Sequence, residues 1–399
     1  MKKRIAAIDI GTTKVFTIMA DLDSSSGLRV LGVGIARSHG IEKALITDPL
    51  TARESIRESI YKAEVMAGNK IRSAYVGVTG RHISSLNNKT TIAINRSDML
   101  VRSVDFKRAL KVAMNVDIPP EQKILHVIPR SYKLDGNLVE NPVGMNGSEL
   151  EVEVHIIKAS TSSVQNLTNV VKGLGVNIED LVLEPLASAE AVLAEEEKLG
   201  GVLIADIGGG TTDIAIIKDG SIFHTSVIPA AGHQITNDLS AGLGLPYELA
   251  EEIKKRYGTL VSPELEDPAR TIDEKGKKVN FHELREIMLA RVEEIIRLII
   301  LDLPREKNAP LIPTGIVLTG GCANIPGIVE IAQRITRLPV RVGIPIALNG
   351  VSVDALSDPA YATSVGLITW SMKNKGTFSW FEKRRGFRGF VAQIRQAFR

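Results

Sequence analysis

The stretch "VLIADIGGGTTDIAIIKDG", Val202 to Gly220, nearly repeats "RIAAIDIGTTKVFTIMADLD", Arg4 to Asp23. Each reads apolar run, Asp-Ile-Gly, threonine, second apolar run, which is the pattern of a buried hairpin. One hairpin written twice, about two hundred residues apart, limits the fold more than any other feature, and the flanks repeat too. The first hairpin is followed by strand-like residues 28–37, a helical segment at 51–67 and "SAYVGVTG" (73–80), a buried strand ending on glycine. The second is followed by a helical region at 232–257 and a long amphipathic helix in "GKKVNFHELREIMLARVEEIIRLIILDL". Then comes "TGIVLTGGCANIPG" (314–327), whose "VLTGG" answers "VGVTG". The pattern predicts two related α/β domains facing each other, each a mixed sheet with flanking helices. A chain of 399 residues is long enough for two cores.

Residues 81–160 break the rhythm. The strand-like pieces "TTIAI", "KILHVIPRSYKL" and "LEVEVHIIKAS", with a helix around 104–115, predict a small α+β insert in the first domain. The expected division is 1–80 (first domain, first part), 81–160 (insert), 161–201 (first domain, second part, with an interdomain helix), 202–370 (second domain), 371–377 (linker) and 378–399 (tail). No segment reaches the roughly 18 apolar residues of a spanning helix. The opening "MKKRIAAIDI" starts like an export signal, but Asp9 interrupts it and no cleavage site follows, so export is not expected. The single cysteine, Cys322, cannot form an internal disulfide and suits a reducing compartment.

The repeated phrase carries its own chemistry. An Asp at the end of a buried strand is costly unless it is paired or serves a cation. Glycines let the backbone approach a ligand closely, and successive N–H groups in such a turn form an anion site. Alone, "DIGTT" is also compatible with a plain hairpin turn. Three consecutive glycines in "DIGGGTTD" weaken a hairpin unless something approaches the backbone. Two such loops could grip a phosphate chain from both sides, with Asp9 and Asp206 near a bridging Mg²⁺ held through its waters.

These motifs resemble the actin/Hsp70/sugar-kinase ATPase superfamily, and all five of its blocks can be placed. "DIGTTK" and "DIGGGTTD" look like the two phosphate loops, "LEPLASAEAVL" (183–193) and "DPAYATSVGLI" (358–368) like the two interdomain helices, and "LTGGCANIPG" like the adenosine loop. The implied fold is the actin-like two-domain α/β ATPase fold, with duplicated mixed sheets. Within the superfamily, "VGVTGRHI", "EEIKKRYG", "DPAYATSVGLI" and the insert are similar to the bacterial cell-division FtsA family. One departure is "AAGHQIT" (230–236), where Ala231 stands in place of a frequent glycine.

The resemblance implies ATP and Mg²⁺ as cofactors. It implies phosphate contacts from Gly11, Thr12, Thr13 and Lys14 on one side and from Gly208, Gly209, Gly210, Thr211 and Thr212 on the other. Asp9, Asp206 and Asp213 would organise the metal, and Glu184 would orient the attacking water. A Glu before a proline also suits a solvated helix start. Gly320, Gly321 and Ile325 would border the adenine, and Glu252 and Lys255 the ribose, although that pair also reads as a surface i,i+3 pair. His39, His82 and His233 have no metal-ligand spacing, and none is assigned a catalytic role.

The last 24 residues hold six of the 49 basic residues and one acid, leaving 43 basic against 45 acidic in the body. They also hold five of the nine Phe. On a helix, Phe387, Phe390, Val391, Ile394 and Phe398 form one stripe flanked by Arg388 and Arg395. That pattern fits a helix lying in an anionic lipid surface. Docking on the body would not require so many cations, and nucleic acid would not require so clean a stripe.

The implied function is an ATP-binding division protein at the cytoplasmic face of the cell membrane. It would tether FtsZ filaments at the septum, meet other division proteins and self-assemble into protofilaments. Any ATP hydrolysis would be slow, with ATP as an assembly ligand rather than a fuel. The alternatives are a type IV pilus assembly ATPase of the PilM kind, which should lack the tail, and a small-molecule kinase.

Overall fold

The two hairpins form because each has a continuous apolar strand on either side of a four-residue loop. Lys3–Ile10 pairs antiparallel with Lys14–Asp23, closing on Ile10 opposite Val15. Val202–Ile207 pairs with Thr212–Lys218, closing on Ile207 opposite Thr212. The computed structural model describes residues 3–23, 27–261, 270–304, 311–346, 349–350, 354–373 and 378–379.

Each hairpin seeds a sheet of the same topology. In the first, the strand order is Asn177–Leu183, Ser73–Val78, Lys3–Ile10, Lys14–Asp23, Gly27–Arg37, with Asn349–Gly350 added at the far edge. In the second it is Val340–Val342, Gly315–Thr319, Val202–Ile207, Thr212–Lys218, Ser221–Ile228. In both, the strand ending in Thr-Gly runs parallel to the first hairpin strand. The duplication expected from the repeat is therefore present strand for strand.

Alternation along Val202–Ile207 explains why the whole strand is apolar. Successive side chains point to opposite faces. Leu203, Ala205 and Ile207 join the core of the second lobe. Val202 and Ile204 join the larger core that continues into the first lobe. Two helices, Glu184–Val192 and Ala362–Lys373, run through that shared region. They touch so closely that a Cβ at Gly366 would overlap the Ala187 carbonyl oxygen.

Residues 83–160 build a third sheet from Ile83–Ala93, Gln122–Leu134, Asn137–Val139 and Glu149–Ser160. The helix Ser103–Ala113 covers it with its own apolar cluster around Phe106, Leu110 and Leu150. This sheet also touches the second lobe. Ser85 Oγ donates to the Thr225 carbonyl at 2.8 Å, and His155 Nε2 meets Thr225 Oγ1 at 3.0 Å.

Three expectations need correction. The segment 232–257 is two helices, Gly232–Leu243 and Tyr247–Tyr257, because Gly244 adopts the left-handed cap conformation and Pro246 follows. The stretch "GKKVN" is not helical. Lys277–Asn280 pairs with Thr271–Glu274, and the helix Phe281–Leu301 starts where the Asn280 side chain accepts from the Glu283 N–H. The final helix runs to Lys373, so the linker expected from 371 begins inside it. Beyond it, Phe378–Ser379 pairs with Val127 and His126 at the edge of the third sheet. The tail residues Phe387, Arg388, Phe390, Val391, Ile394, Arg395 and Phe398 lie outside the described residues. Among the described residues, no helix is long and apolar enough to cross a membrane.

Candidate functional site

The two hairpin loops meet tip to tip. Each is closed by the same bond, from Gly11 N–H to the Lys14 carbonyl at 3.1 Å and from Gly208 N–H to the Thr211 carbonyl at 3.0 Å. Thr12 and Thr13 of the first loop face the bare backbone of the second. A Cβ at Gly209 would stand 2.7 Å from Thr13 Oγ1, and one at Gly210 would stand 2.5 Å from Thr12 Oγ1. Lys14 crosses the cleft: its Nζ donates to the Ala360 carbonyl at 2.8 Å and lies 3.8 Å from the centre of the Tyr361 ring.

Under the loops lies a buried set of acids. Asp9 Oδ2 accepts from Ser364 Oγ at 2.7 Å. Asp206 Oδ2 accepts from Ser188 Oγ at 2.7 Å and Thr363 Oγ1 at 3.0 Å. Asp213 accepts from Thr79 Oγ1 and, at 3.2 Å, from Thr211 Oγ1. Glu184 opens the first interdomain helix and is buried rather than solvated. Burial is the largest cause of a raised pKa in all four. It pushes Asp9 up to about 6 and Asp213 up to about 8, and holds Asp206 and Glu184 above the usual carboxylate range. Mutual repulsion adds to this for Asp9, Asp213 and Glu184, while Lys14 lowers Asp9 and Asp206. Burial in turn lowers Lys14 below the ordinary lysine value. Among the described residues, no three His, Cys, Asp or Glu side chains are grouped so as to hold a metal ion directly.

The third loop closes the site from behind. Gly320 has φ +84°, and a Cβ there would stand 2.3 Å from Asp206 Oδ1, so only glycine fits. Gly321 is less confined, with only Ala360 Cβ near, at 4.0 Å. Ile325 lines a separate groove of about 620 Å³ with Asn324, Ile328, Glu330, Ile344 and Asp358; neither phosphate-type loop reaches it. Ala231 is fully buried in the second lobe. The next residue makes the close approach: a Cβ at Gly232 would stand 2.9 Å from Cys322 Sγ and 3.2 Å from the Gly208 carbonyl oxygen.

On the helix Tyr247–Tyr257, Ala250 and Ile253 are buried in the core, and the adjacent Glu251 and Lys254 turn toward Gly232 and Thr236. Lys254 Nζ lies 2.6 Å from Glu251 Oε2 and donates to the Gly232 carbonyl at 3.0 Å and to Thr236 Oγ1 at 2.8 Å. Glu252 instead faces outward and pairs with Lys275. Lys255 sits at the rim, exposed, 3.0 Å from Glu251 Oε1.

Sequence reasoning missed Ser188, Thr363, Ser364, Thr79, Glu251 and Lys254. The signal was available in the first three: hydroxyls flanked by Ala, Gly and aliphatic residues in predominantly apolar helices. For Glu251 and Lys254 it was the phase set by Ala250 and Ile253.

Residues 203–366 match the family described as "Cell division protein FtsA", and residues 80–158 match "SHS2 domain inserted in FTSA". The chain is 39% identical over 380 residues to the "Cell division protein FtsA" of Pseudomonas aeruginosa, covering 94% of this chain and 90% of the relative. It is 37% identical to that of Neisseria meningitidis, covering 99% and 98%. The chain belongs to the FtsA family. The relative from Escherichia coli K12, 32% identical across 94% of this chain and 91% of its own length, agrees with this.

Solved structures place the FtsA-family chain in the actin-like fold. The structure titled "PilM-PilN type IV pilus biogenesis complex" superposes with a TM-score of 0.62 at 15% identity, covering 91% of this chain and 97% of that one. An MreB of Spiroplasma citri bound to AMPPNP superposes with a TM-score of 0.56 at 19% identity, covering 94% and 97%. At these identities the likeness is one of fold alone. The long sequence matches above are to FtsA proteins.

Proposed function

We propose that this cell-division protein binds ATP with Mg²⁺ between its two hairpin loops, and that binding prepares it to assemble. The observation that carries this reading is the pair of facing loops above four buried carboxylates, of which Asp9 and Asp206 are lowered by the charge of Lys14. Such a cluster is costly unless a cation joins it. Backbone N–H groups within 12–14 and 209–212 would hold the phosphates, and Asp9, Asp206 and Asp213 would hold Mg²⁺ through its water shell. Bound in this way, the metal would neutralise phosphate charge. Glu184 would orient a water toward the terminal phosphate, and Glu251 with Lys254 would meet the ribose. Calorimetric titration with ATP, with and without Mg²⁺, tests the assignment. Tight binding that needs Mg²⁺ supports it, and no heat of binding in either condition overturns it.

We infer further that residues 378–399 include the membrane attachment, that the chain tethers FtsZ filaments to the cytoplasmic face at the division site, and that copies associate into protofilaments. The composition of the tail supports the first point. A stripe of five apolar side chains gives one copy reversible attachment, and several copies on one filament act together. Co-sedimentation with anionic and neutral liposomes, across protein concentration, tests it.

A further inference from the structure

The strand Ser73–Val78 ends in the run Gly77-Val78-Thr79-Gly80-Arg81-His82. Two of these residues lack side chains where two other side chains must fit. A Cβ at Gly77 would stand 3.2 Å from Glu184 Oε1, and a Cβ at Gly80 would stand 3.0 Å from His82 Nδ1. The glycines therefore leave His82 and Glu184 free to line one small cavity, which Ile10, Thr79 and Ser163 also border. Its volume is about 20 Å³, enough for one water molecule. Both ring nitrogens of His82 are buried without a hydrogen-bond partner among the described residues. Burial pushes its pKa down to about 4, so at neutral pH the ring has one donor and one acceptor to satisfy. Leaving both unmet would be costly. The walls are mainly aliphatic, but His82, Glu184, Thr79 and Ser163 bring polar groups to a water-sized space.

We propose that His82 is a positioning residue for Glu184, acting through a water held in this cavity between the imidazole and the carboxylate. The inference rests on the assignment of Glu184 as the water-orienting acid. Thr79 ties the same wall of the cavity to Asp213 through its hydroxyl. His82 thus sits where it can fix the orientation of the acid without touching the phosphates.

The test uses the full chain and compares His82→Leu, His82→Gln, Glu184→Ala and the Leu/Ala double variant. ATP affinity is measured by calorimetry, and turnover by single-turnover phosphate release. His82→Leu should keep ATP affinity within about twofold and lose ten- to hundredfold in turnover, the usual cost of removing a residue that orients a reacting group. His82→Gln, which keeps a donor and an acceptor, should recover a good part of that loss. The double variant should be no slower than Glu184→Ala alone, because the two act as one unit. Unchanged turnover in His82→Leu, or losses that simply add, would overturn the positioning role while leaving Glu184 in place. If Glu184→Ala itself leaves turnover unchanged, or the unmodified chain releases no phosphate, the underlying assignment falls and this one with it. Should His82→Leu not fold, His82→Gln against His82→Asn decides. Turnover that depends on which nitrogen is mimicked supports the proposal, and indifference to both overturns it.

Discussion

The two hairpins share a loop length, a closing hydrogen bond, a sheet topology and the opening Asp-Ile-Gly, yet differ in the five positions that follow. Aligned through their closing bonds, Thr12 and Thr13 correspond to Gly209 and Gly210, Lys14 to Thr211, and Phe16 to Asp213. The first loop supplies side chains and a cation. The second supplies bare backbone and an extra acid. Because the threonines of one pack against the glycines of the other, the loops are complementary rather than interchangeable. A duplicated fold has become a site with two unlike jaws.

Substitution in the bare jaw should have the largest effect on ATP binding. In Gly209→Val, the new Cβ alone falls 2.7 Å from Thr13 Oγ1, so the Thr13 side chain must move, and the valine methyls fill the bare face of the loop. ATP affinity should drop more than about a hundredfold by calorimetry, or about 3 kcal/mol. Thr13→Val keeps the bulk and loses only a hydroxyl, so it should cost about tenfold or less. Equal losses in the two variants would break the comparison.

Next comes the acid that neither hairpin contains. Glu184→Ala should bind ATP nearly as well as the unmodified chain, while turnover falls by about 10²–10⁴, the range for a lost general acid–base group. Phosphate-release assays would reveal the opposite case, a fast turnover independent of Glu184.

The extra acid of the second hairpin should be visible in stability against pH. Folded pKa values near 6 for Asp9 and near 8 for Asp213 lie above the ordinary 3.8. The folded chain therefore keeps protons that the unfolded chain has lost. Stability from these groups is intact below about pH 4 and declines as pH rises toward 8, by at most about 1.4 kcal/mol per unit per group. Urea unfolding of the nucleotide-free protein should show this decline between pH 5.5 and 8. Asp213→Asn should flatten it more than Asp9→Asn does, and Mg²⁺ with ATP should flatten it too. A curve that rises across that window contradicts the buried-acid account.

Much of this contrast was legible in the sequence. Residue type alone marked Gly208 to Gly210 and Asp206, because buried acids and consecutive glycines are hard to explain otherwise. The duplication of the mixed sheets followed from two matching apolar phrases, while the strand order within them did not. Which of the two i,i+3 pairs among Glu251, Glu252, Lys254 and Lys255 turns inward was not legible, because only the packing of Ala250 and Ile253 selects between them. The hydroxyls of Ser188, Thr363 and Ser364 were passed over because each meets its acid, Asp206 or Asp9, only through tertiary packing, across 18, 157 and 355 positions of chain. The helix expected to start at 276 began at Phe281 because the Asn280 cap outweighed the amphipathic run before it.

The smallest effects should separate these pairs. Lys254→Met, which strips three partners from one ammonium group, should weaken ATP binding by about tenfold. Glu252→Ala, on the outer face, should change it less than about twofold. Comparable losses would return the outward pair to consideration.

The most direct test of the unlike-jaws account is a crystal structure of the full chain with Mg²⁺ and a non-hydrolysable ATP analogue. The account predicts phosphates between residues 11–14 and 208–212, with Mg²⁺ waters on Asp9, Asp206 or Asp213. Phosphates seated instead in the groove beside Ile325 and Glu330, with the two loops still in contact, would contradict it.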